Sequence, residues 1–550
     1  MSQTETKTAI AHDADTELVL SLVNEPTSTG NLFLPGASAA STAVLIEKLK
    51  HNYLHNDAFF QGVIYHNHSM DHTLAVWALG GSPEAVAEVY KSHDYTELVH
   101  PSPEAITDAN FFEHLGDAKF YNAYVVYFCK ALVAASSPAE VLQRFLFSPV
   151  YNHNANLPAG AKQALMIDRL MGGIVHPLIH LGYGAEFGIK QQLAEGLAYS
   201  AIHDSWHGSA FPQELFTTAD PYARGLSGAT SSKTNERPPF LTLLADILAD
   251  KRLAPEALDL PFEEKPGEQT FVALMQAGAG KVVEELVSRW YDSWTAGVSE
   301  EELEERLEGM VEDTVLTMSL IYGAGGVAAK GDRVFNACFI TMHFVTSANF
   351  LPTFALRSDR TRAQTLQPPL PLASRLLLVR AFLSVVLLWF IGRPMPTVEA
   401  FTAAIPELYA ATDALLSPPA PAHASAPGET PKRDFWSHEW MRTMPVGARA
   451  WPKLFASAAS HPNEHLPKLT RALGVADASY GRRGQGQYAG PLGNSEILDG
   501  TLFLRVALLS TERLGWAMED TSKPQWDRDG YWLAAAGKET RAKVAKVTAF

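Results

Sequence analysis

The chain has 550 residues, of which 47% are hydrophobic and 10% aromatic, so it holds enough apolar material for more than one ordinary core. Its formal net charge of -16 and its lack of a dense lysine and arginine run argue against a nucleic-acid binder, because phosphates select clustered cations. Only two cysteines occur, Cys129 and Cys338, in no CxxC arrangement, which excludes a disulfide framework and a thiolate zinc site.

The N-terminal stretch MSQTETKTAIAHDADTELVL is polar and acidic, without the charged start and apolar core of a secretory signal. We therefore expect an intracellular, cytoplasmic protein. Helical periodicity dominates the chain and alternating strand patterns are scarce, so we predict an all-α fold. Its main domain is expected to contain many helices around an internal cavity lined by histidines.

The first predicted helix with candidate chemistry covers 63–79, VIYHNHSMDHTLAVWAL. His68 and His72 are four residues apart in it and would lie about 40° apart on one face, where they can share a ligand. His66 would point elsewhere unless the helix starts after it. The next predicted helix, 82–95, begins with Ser82 as a cap followed by proline, a typical helix start.

The stretch GGIVHPLIHLGYGAEFG, 172–188, carries His176 and His180 with the same four-residue spacing. Pro177 is suited to open a helix just after His176, because proline fits the first helical position.

A third pair, His203 and His207, occurs in YSAIHDSWHG, 199–208, and His343 stands alone in the apolar run CFITMHFVTSANF, 338–350. Imidazoles from several helices are a familiar way to hold iron, manganese or zinc in a helical core. Spacing alone leaves hydrogen-bonded structural histidines as an equal alternative, because the chain has 19 histidines.

Two glycine-rich stretches do not indicate a nucleotide site. AGAGK, 277–281, is too short for a phosphate-binding loop, and GAGGVA, 323–328, follows a helical segment instead of a strand. That segment, 299–323, begins as an acidic exposed face and ends as an apolar, buried one.

The run RLLLVRAFLSVVLLWFIGRP, 375–394, is nearly long enough to cross a membrane, but Arg380 and Ser384 interrupt it. Because a central arginine in lipid is costly, we predict a buried core helix and no membrane span. A buried Arg380 needs an anionic partner.

The segment SPPAPAHASAPGETPKR, 417–433, is rich in proline, alanine and serine and predicts a linker or surface loop. It divides a main helical domain, 1–416, which carries the histidine motifs, from a smaller, mostly helical C-terminal region, 434–550, that packs on the main domain.

The stretches YHNHSMDHTLAVWALGG, HPLIHLGYGAEFG followed by EGLAYSAIH, MHFVTS, and LDGTLFLRVALLSTERLGW together resemble the questin oxidase-like family of secondary metabolism. The resemblance runs from about residue 60 to 535 and keeps several motifs in order. It implies oxidative opening of an anthraquinone-type aromatic polyketide. That reaction is described either as a Baeyer–Villiger-like step with NADPH or as non-haem metal-dependent oxygen chemistry.

The missing dinucleotide fingerprint and the clustered histidines favour a metal that activates O2. We predict a ferrous ion, or another divalent transition metal, with three or four ligands from His68, His72, His176, His180 and His343. Candidates for orienting the substrate and moving protons are His203, Tyr183 and Arg380. Candidates for lining an apolar slot for a flat aromatic ligand are Trp77 and Phe344, with core packing as the alternative role.

Relatives in this family often have a lysine near position 380, where this chain has Arg380. A guanidinium stays protonated and cannot ligate a metal, whereas a lysine can be modified to do so. Arg380 is expected either to pair with a phenolate or carboxylate of the substrate or to form an internal salt bridge. The departure keeps open a second class of function, a catalytically silent helical protein that binds an aromatic polyketide without a metal.

Overall fold

The computed structural model of the chain describes residues 13–61, 65–96, 99–158, 160–217, 237–259, 268–357, 361, 363, 365–393, 395–416, 446–522, 525–528 and 530–531. Helices dominate these ranges, which confirms the all-α prediction. Within them, the strands are β1 (Phe59–Phe60) and β2 (Tyr65–His66), which pair antiparallel with Phe59 opposite His66.

The α-helices up to the middle of the chain are α1 (Ala14–Ser21), α2 (Ala39–His55), α3 (Ser69–Ala78), α4 (Pro83–Lys91), α5 (Tyr121–Ala134), α6 (Pro138–Leu142), α7 (Met166–Leu170), α8 (Gly172–Phe187), α9 (Lys190–Ile202), α10 (Glu214–Thr217), α11 (Thr242–Ala249) and α12 (Pro255–Leu258). The later ones are α13 (Glu268–Gln276), α14 (Ala279–Thr295), α15 (Glu300–Ala328), α16 (Phe339–Ala348), α17 (Leu351–Ala355), α18 (Leu372–Ile391), α19 (Val398–Leu416), α20 (Val446–Ala459), α21 (His465–Tyr480) and α22 (Leu502–Leu514). Short 3-10 helices cover Ala118–Phe120, Pro149–Tyr151, Gly208–Ala210, Lys251–Leu253, Ser495–Ile497 and Ala517–Glu519, and a π-helical turn covers Gln143–Phe147.

Serine caps start several helices, and the one at Ser82 was predicted from its sequence. Ser82 accepts a hydrogen bond from the Ala85 N–H at 3.2 Å at the start of α4, and Ser299 accepts one from the Glu302 N–H at 3.3 Å at the start of α15. Each bond satisfies an N–H that the helix itself leaves unpaired. Helix α15 begins with exposed acidic residues and is buried from Gly309 onward, also as predicted.

The most apolar helix, α18, lies in the core. Its mean hydropathy reaches 2.0, and in the described part of the chain it is the one helix long and apolar enough to cross a membrane. That apolar window is fully buried inside the protein, and α18 packs against α14, α15 and α17. The prediction of a buried core helix is therefore confirmed.

The glycines of 323–328 lie in the last turns of α15. A Cβ at Gly323 would lie 2.7 Å from Val506, and a Cβ at Gly326 would lie 2.4 Å from Phe335. These glycines allow neighbouring elements to approach the helix closely.

Four helices that carry histidines meet in the interior, namely α3, α8, α16 and α21. Helix α8 packs against α9 and α16, and α21 packs against both α3 and α16. A helix from the C-terminal part of the chain therefore contacts one near the N-terminus. The linker predicted at 417–433 lies outside the described residues, and the division into domains stays a prediction.

Candidate functional site

The first histidine motif does not form the continuous helix predicted over 63–79. Helix α3 begins at Ser69, with His68 as its N-cap. The Asn67 side-chain oxygen accepts hydrogen bonds from the Ser69 N–H at 2.9 Å and the Ser69 hydroxyl at 2.6 Å, and this local bonding fixes a turn before the helix. His68 and His72 therefore do not share one helical face.

The second motif begins in a left-handed turn. Gly173, Ile174 and Val175 have φ angles of 51°, 57° and 58°, and right-handed helix begins at His176, just before Pro177 as predicted. Left-handed backbone costs roughly 1–2 kcal/mol per non-glycine residue, and such strain is concentrated at functional sites.

Three buried histidines from separate elements converge in the interior. They are His68 before α3, His343 in α16 and His465 at the start of α21, and one ring nitrogen from each lies within 4.8 Å of the other two. Each residue is at most 7% exposed. No described residue forms a hydrogen bond with His343 Nε2 or His465 Nε2. Buried polar atoms without partners are costly, so these nitrogens are candidates for binding a ligand.

His176 extends this cluster. Its Nε2 lies 3.2 Å from His68 Nε2, and its ring centroid lies 4.8 Å from that of His343. Two nitrogens bound tetrahedrally to one ion at 2.0–2.1 Å would be about 3.3 Å apart, close to this separation. An N–H···N hydrogen bond between the two rings fits the distance as well.

Backbone carbonyls fix which nitrogen of two rings carries the proton. His176 Nδ1 donates to the Gly173 carbonyl, and His343 Nδ1 donates to the Phe339 carbonyl at 2.7 Å. Because a carbonyl can only accept, the Nε2 lone pairs remain available for a ligand.

The cluster favours neutral imidazoles. Burial lowers the pKa of His68, His176 and His343 well below the usual value, and neighbouring cationic groups lower it further. Neutral imidazole is the form that binds a metal.

A lysine lies near this cluster, but it comes from α21 and not from α18. Lys468 is 4% exposed, and burial lowers its pKa. Reasoning from sequence missed both His465 and Lys468. Their three-residue spacing on a helix was the available signal, because it puts both side chains on one face.

His180 is held by two carboxylates instead of joining the cluster. Its Nε2 bonds Glu195 Oε2 at 2.9 Å, and its Nδ1 lies 3.2 Å from Asp71 Oδ1, an ion-pair contact without good hydrogen-bond alignment. Burial would lower the pKa of His180, but the two carboxylates outweigh it and raise that pKa to about 9. These contacts favour the doubly protonated ring, which has no free lone pair for a metal, and His180 as a ligand stays a prediction. Asp71 Oδ2 also lies 3.8 Å from His68 Nδ1.

His72 belongs to a chain of polar contacts that reaches the surface. Its Nδ1 lies 3.0 Å from His93 Nε2, and His93 Nδ1 lies 2.8 Å from the hydroxyl of Tyr95, a residue that is 44% exposed. The buried His72 Nε2 makes no hydrogen bond with any residue that the structure describes. This chain connects solvent with the buried polar region.

His66 and His203 form a second histidine pair beside the cluster. Their Nε2 atoms lie 2.7 Å apart, and His203 Nδ1 donates to the Tyr199 carbonyl at 2.6 Å, so His66 supplies the proton of the pair. The His66 ring stacks on that of His176 with centroids 3.9 Å apart. A Cβ at Gly173 would lie 2.6 Å from His66 Nε2, so this arrangement requires glycine there.

The third sequence pair does not occupy one helical face. Helix α9 ends at Ile202, which makes His203 its C-cap, and His207 lies beyond the helix with its Nδ1 bonded to Asp168 Oδ1 at 2.5 Å.

Arg380 forms a buried ion pair. Its Nη2 donates to Glu284 Oε1 at 2.6 Å and to Ser288 Oγ at 2.5 Å, and its guanidinium lies over the Tyr291 ring at 5.2 Å. This geometry is that of the internal salt bridge, one of the two expected alternatives. A role for Arg380 in binding substrate stays a prediction.

The three aromatic candidates are buried in the core. Tyr183 packs edge-on to Phe350 at 4.9 Å, and burial raises its pKa well above the usual value. Trp77 packs edge-on to Phe187 at 5.4 Å, and Phe344 is fully buried next to His343 in sequence. Their roles towards a substrate stay predictions.

A narrow groove runs between α15, α16 and α21. Its mostly apolar lining includes Val345, Ala348, Ala472 and Ala476. These residues follow His343 and His465 along their helices, towards the C-terminal ends. The candidate site is therefore assigned to the histidines and not to the groove.

Comparisons with known proteins agree with the motifs. The questin oxidase-like family matches residues 65–473. Oxidoreductase AflY of Aspergillus parasiticus is 26% identical over 350 residues, 62% of each chain. Baeyer-Villiger oxidase GME11358 of Pestalotiopsis microspora is 28% identical over 375 residues, 66% of this chain and 73% of that protein. Questin oxidase of Aspergillus fumigatus is 30% identical over 171 residues, 30% of this chain and 36% of that enzyme.

The match to AflY thus spans less than two thirds of that relative's length. The family match covers most of this chain and contains all four clustered histidines, His68, His176, His343 and His465. The chain belongs to the questin oxidase-like family.

Proposed function

We propose that the protein is an oxygenase that opens a ring of an anthraquinone-type aromatic polyketide, with a non-haem ferrous ion bound by the buried histidines. The observation that carries this proposal is the convergence of His68, His343 and His465 from three separate elements, with buried nitrogens that lack hydrogen-bond partners. The names of the relatives, questin oxidase and Baeyer-Villiger oxidase, support an oxidation of this kind.

His68, His343 and His465 would hold the metal, with His176 as a fourth ligand. The donor set fits a first-row transition metal, because neutral imidazole nitrogen suits iron, zinc and copper more than the hard cations magnesium and calcium. A ferrous ion supplies the one-electron chemistry that activates O2.

The surrounding residues fix the proton positions of the ligands and the charge beside them. The Gly173 and Phe339 carbonyls hold the Nδ1 protons of His176 and His343, which keeps both Nε2 lone pairs directed away from the backbone. Asp71 lies between His68 and His180, and its carboxylate balances the imidazolium of His180. Glu195, bonded to the other ring nitrogen of His180, adds a second carboxylate, so this group of three residues carries a net negative charge close to the ligands.

Ring opening requires proton exchange with solvent. The contacts from His72 Nδ1 through His93 to the hydroxyl of exposed Tyr95 offer the outer part of such a path, because each group lies within hydrogen-bond distance of the next. His66 and His203 are a second pair that can pass a proton between their Nε2 atoms.

Metal analysis of protein purified without a histidine tag tests the proposal. The unaltered protein should hold about one transition-metal ion per chain. His343→Gln and His465→Gln should lose it, with helical circular dichroism unchanged. His461→Gln is a matched control, because His461 is also buried but bonds backbone atoms of Leu514 and Asn463. Full metal retention by both cluster variants would sink the assignment.

The same measurement separates the silent binder from the enzyme, because a stoichiometric redox metal has no use in a silent binder. The relatives named Baeyer-Villiger oxidases favour a second candidate, an NADPH-dependent Baeyer–Villiger-type monooxygenase. If metal-free protein consumed NADPH in step with substrate, this candidate would replace the metal-dependent one.

A further inference from the structure

A short strap near the C-terminal end of the described chain, residues 525–528, crosses the start of α16. The Phe339 N–H donates to the Asp527 carbonyl at 2.9 Å, and the Asp527 N–H donates to the Ala337 carbonyl at 3.0 Å. The Asp527 carboxylate accepts hydrogen bonds from Arg333 at 2.8 Å and Arg513 at 2.6 Å. Backbone and side chain therefore both fix the position of the strap.

The strap holds Trp526 and Arg528 above the histidine cluster. Trp526 donates to Asn463 Oδ1 at 2.7 Å, and its ring centroid lies 6.2 Å from that of His465. The guanidinium of Arg528 lies 4.9 Å from the centroid of the Phe339 ring.

Phe339 separates this guanidinium from the cluster. Its ring centroid lies 4.7 Å from that of His343 and 5.0 Å from that of His465, both at steep angles. Phe339 is partly buried and Arg528 is exposed. One aromatic ring thus lies between an exposed cation and two of the proposed ligands.

Arg528 differs from the arginines around it. Arg333 and Arg513 are both paired with Asp527, whereas no carboxylate among the described residues lies within ion-pair distance of the Arg528 guanidinium. A guanidinium stays protonated and can bind an anionic oxygen with two N–H groups. Phe339 beside it offers a face or edge on which a flat aromatic system can pack.

We propose that Arg528 and Phe339 form the entrance to the histidine cluster and select planar aromatic phenolates, with Arg528 binding the phenolate oxygen and Phe339 packing on the ring system. This deepens the proposed function by assigning its substrate an ionised hydroxyl. The capture step needs no metal, so it can be measured separately from metal content and turnover.

The probe is 1,8-dihydroxyanthraquinone, titrated into metal-free full-length protein at a pH at which one hydroxyl is ionised, with binding followed by absorbance. Arg528→Met should raise Kd about tenfold or more, in line with a hydrogen bond to a charged group. The Kd of Arg528→Lys should lie between those of the unaltered protein and Arg528→Met, because lysine keeps the positive charge but cannot donate two parallel hydrogen bonds from a planar group.

Arg144→Met is the matched control, because Arg144 is also exposed and lies over Phe145 at 4.8 Å. It should leave Kd unchanged. Unsubstituted 9,10-anthraquinone should bind the unaltered protein and Arg528→Met equally, because it has no phenolate. The proposal is overturned by equal Kd values for the phenolate in the two proteins, by equal weakening for both quinones, or by no binding to the unaltered protein. Metal analysis of Arg528→Met should match the unaltered protein, so a failed metal assignment would be recognised separately.

Discussion

Replacing Arg380 with methionine should lower the stability of the fold. The arginine is 1% exposed, and its Nη2 donates to both Glu284 and Ser288. Methionine fills much of the same volume but removes the charge, so the Glu284 carboxylate stays buried with the Ser288 hydroxyl, 2.6 Å away, as a remaining donor.

Removing one partner of a buried ion pair typically costs about 3–5 kcal/mol. Because Glu284 keeps the Ser288 hydrogen bond and its side chain is 10% exposed, we expect the lower end of this range. An unfolding entropy of about 2.1 cal/mol/K per residue gives roughly 1.2 kcal/mol/K for a chain of this length, so Tm should fall by about 3 °C. The fall would be larger if a smaller unit melts separately.

Calorimetry gives Tm, and titration with 1,8-dihydroxyanthraquinone on the same variant gives Kd. Adding Glu284→Gln to Arg380→Met should restore most of the lost stability, because a neutral amide is less costly to bury than a carboxylate. An unchanged Tm together with a tenfold weaker Kd would refute the ion-pair interpretation and assign Arg380 to the substrate.

Three further outcomes are expected. Gly173→Ala should lower Tm and metal content together, because its φ of 51° is strained for alanine and the new Cβ would lie 2.6 Å from His66 Nε2; normal metal content would contradict this. The pKa of His180 is raised to about 9, so its stabilising contribution is complete below about pH 6.5 and is lost as pH rises through 9. The Tm of the metal-free unaltered protein should show this loss between pH 6 and 10, and the Tm of metal-free His180→Gln should not. If Tm changed with pH in the same way in both proteins, the charged His180 pair would be contradicted. Chelating the metal should remove about 4 kcal/mol of stability if free metal had stood at a thousandfold excess over Kd, and the same chelator should leave His465→Gln unaffected.

Helices were predictable because their signals are local. The serine cap at Ser82 and the continuous apolar run of α18 depend on a few neighbouring residues. The predicted start of α3 was wrong for an equally local reason. The side-chain oxygen of Asn67 accepts a hydrogen bond from the Ser69 N–H and forms a turn where the apolar pattern alone predicts helix.

The site could be predicted only in part, because it is assembled by packing between distant elements. His68, His176 and His343 were among the candidates, yet their four-residue spacing is not what unites them. His465 joins them because α21 packs on α3 and α16, which no sequence window reveals. The two ring nitrogens of His180 contact Asp71 and Glu195 instead of the clustered histidines, and the proximity of these carboxylates is likewise a property of the fold.

Anomalous diffraction at the iron absorption edge, from crystals of protein grown and purified with ferrous ion, tests the central claim most directly. We predict a single strong peak per chain within bonding distance of His68, His343 and His465, with His176 beside it. A map with no iron peak at these histidines, or with its peak at another site, would contradict the proposed metal centre.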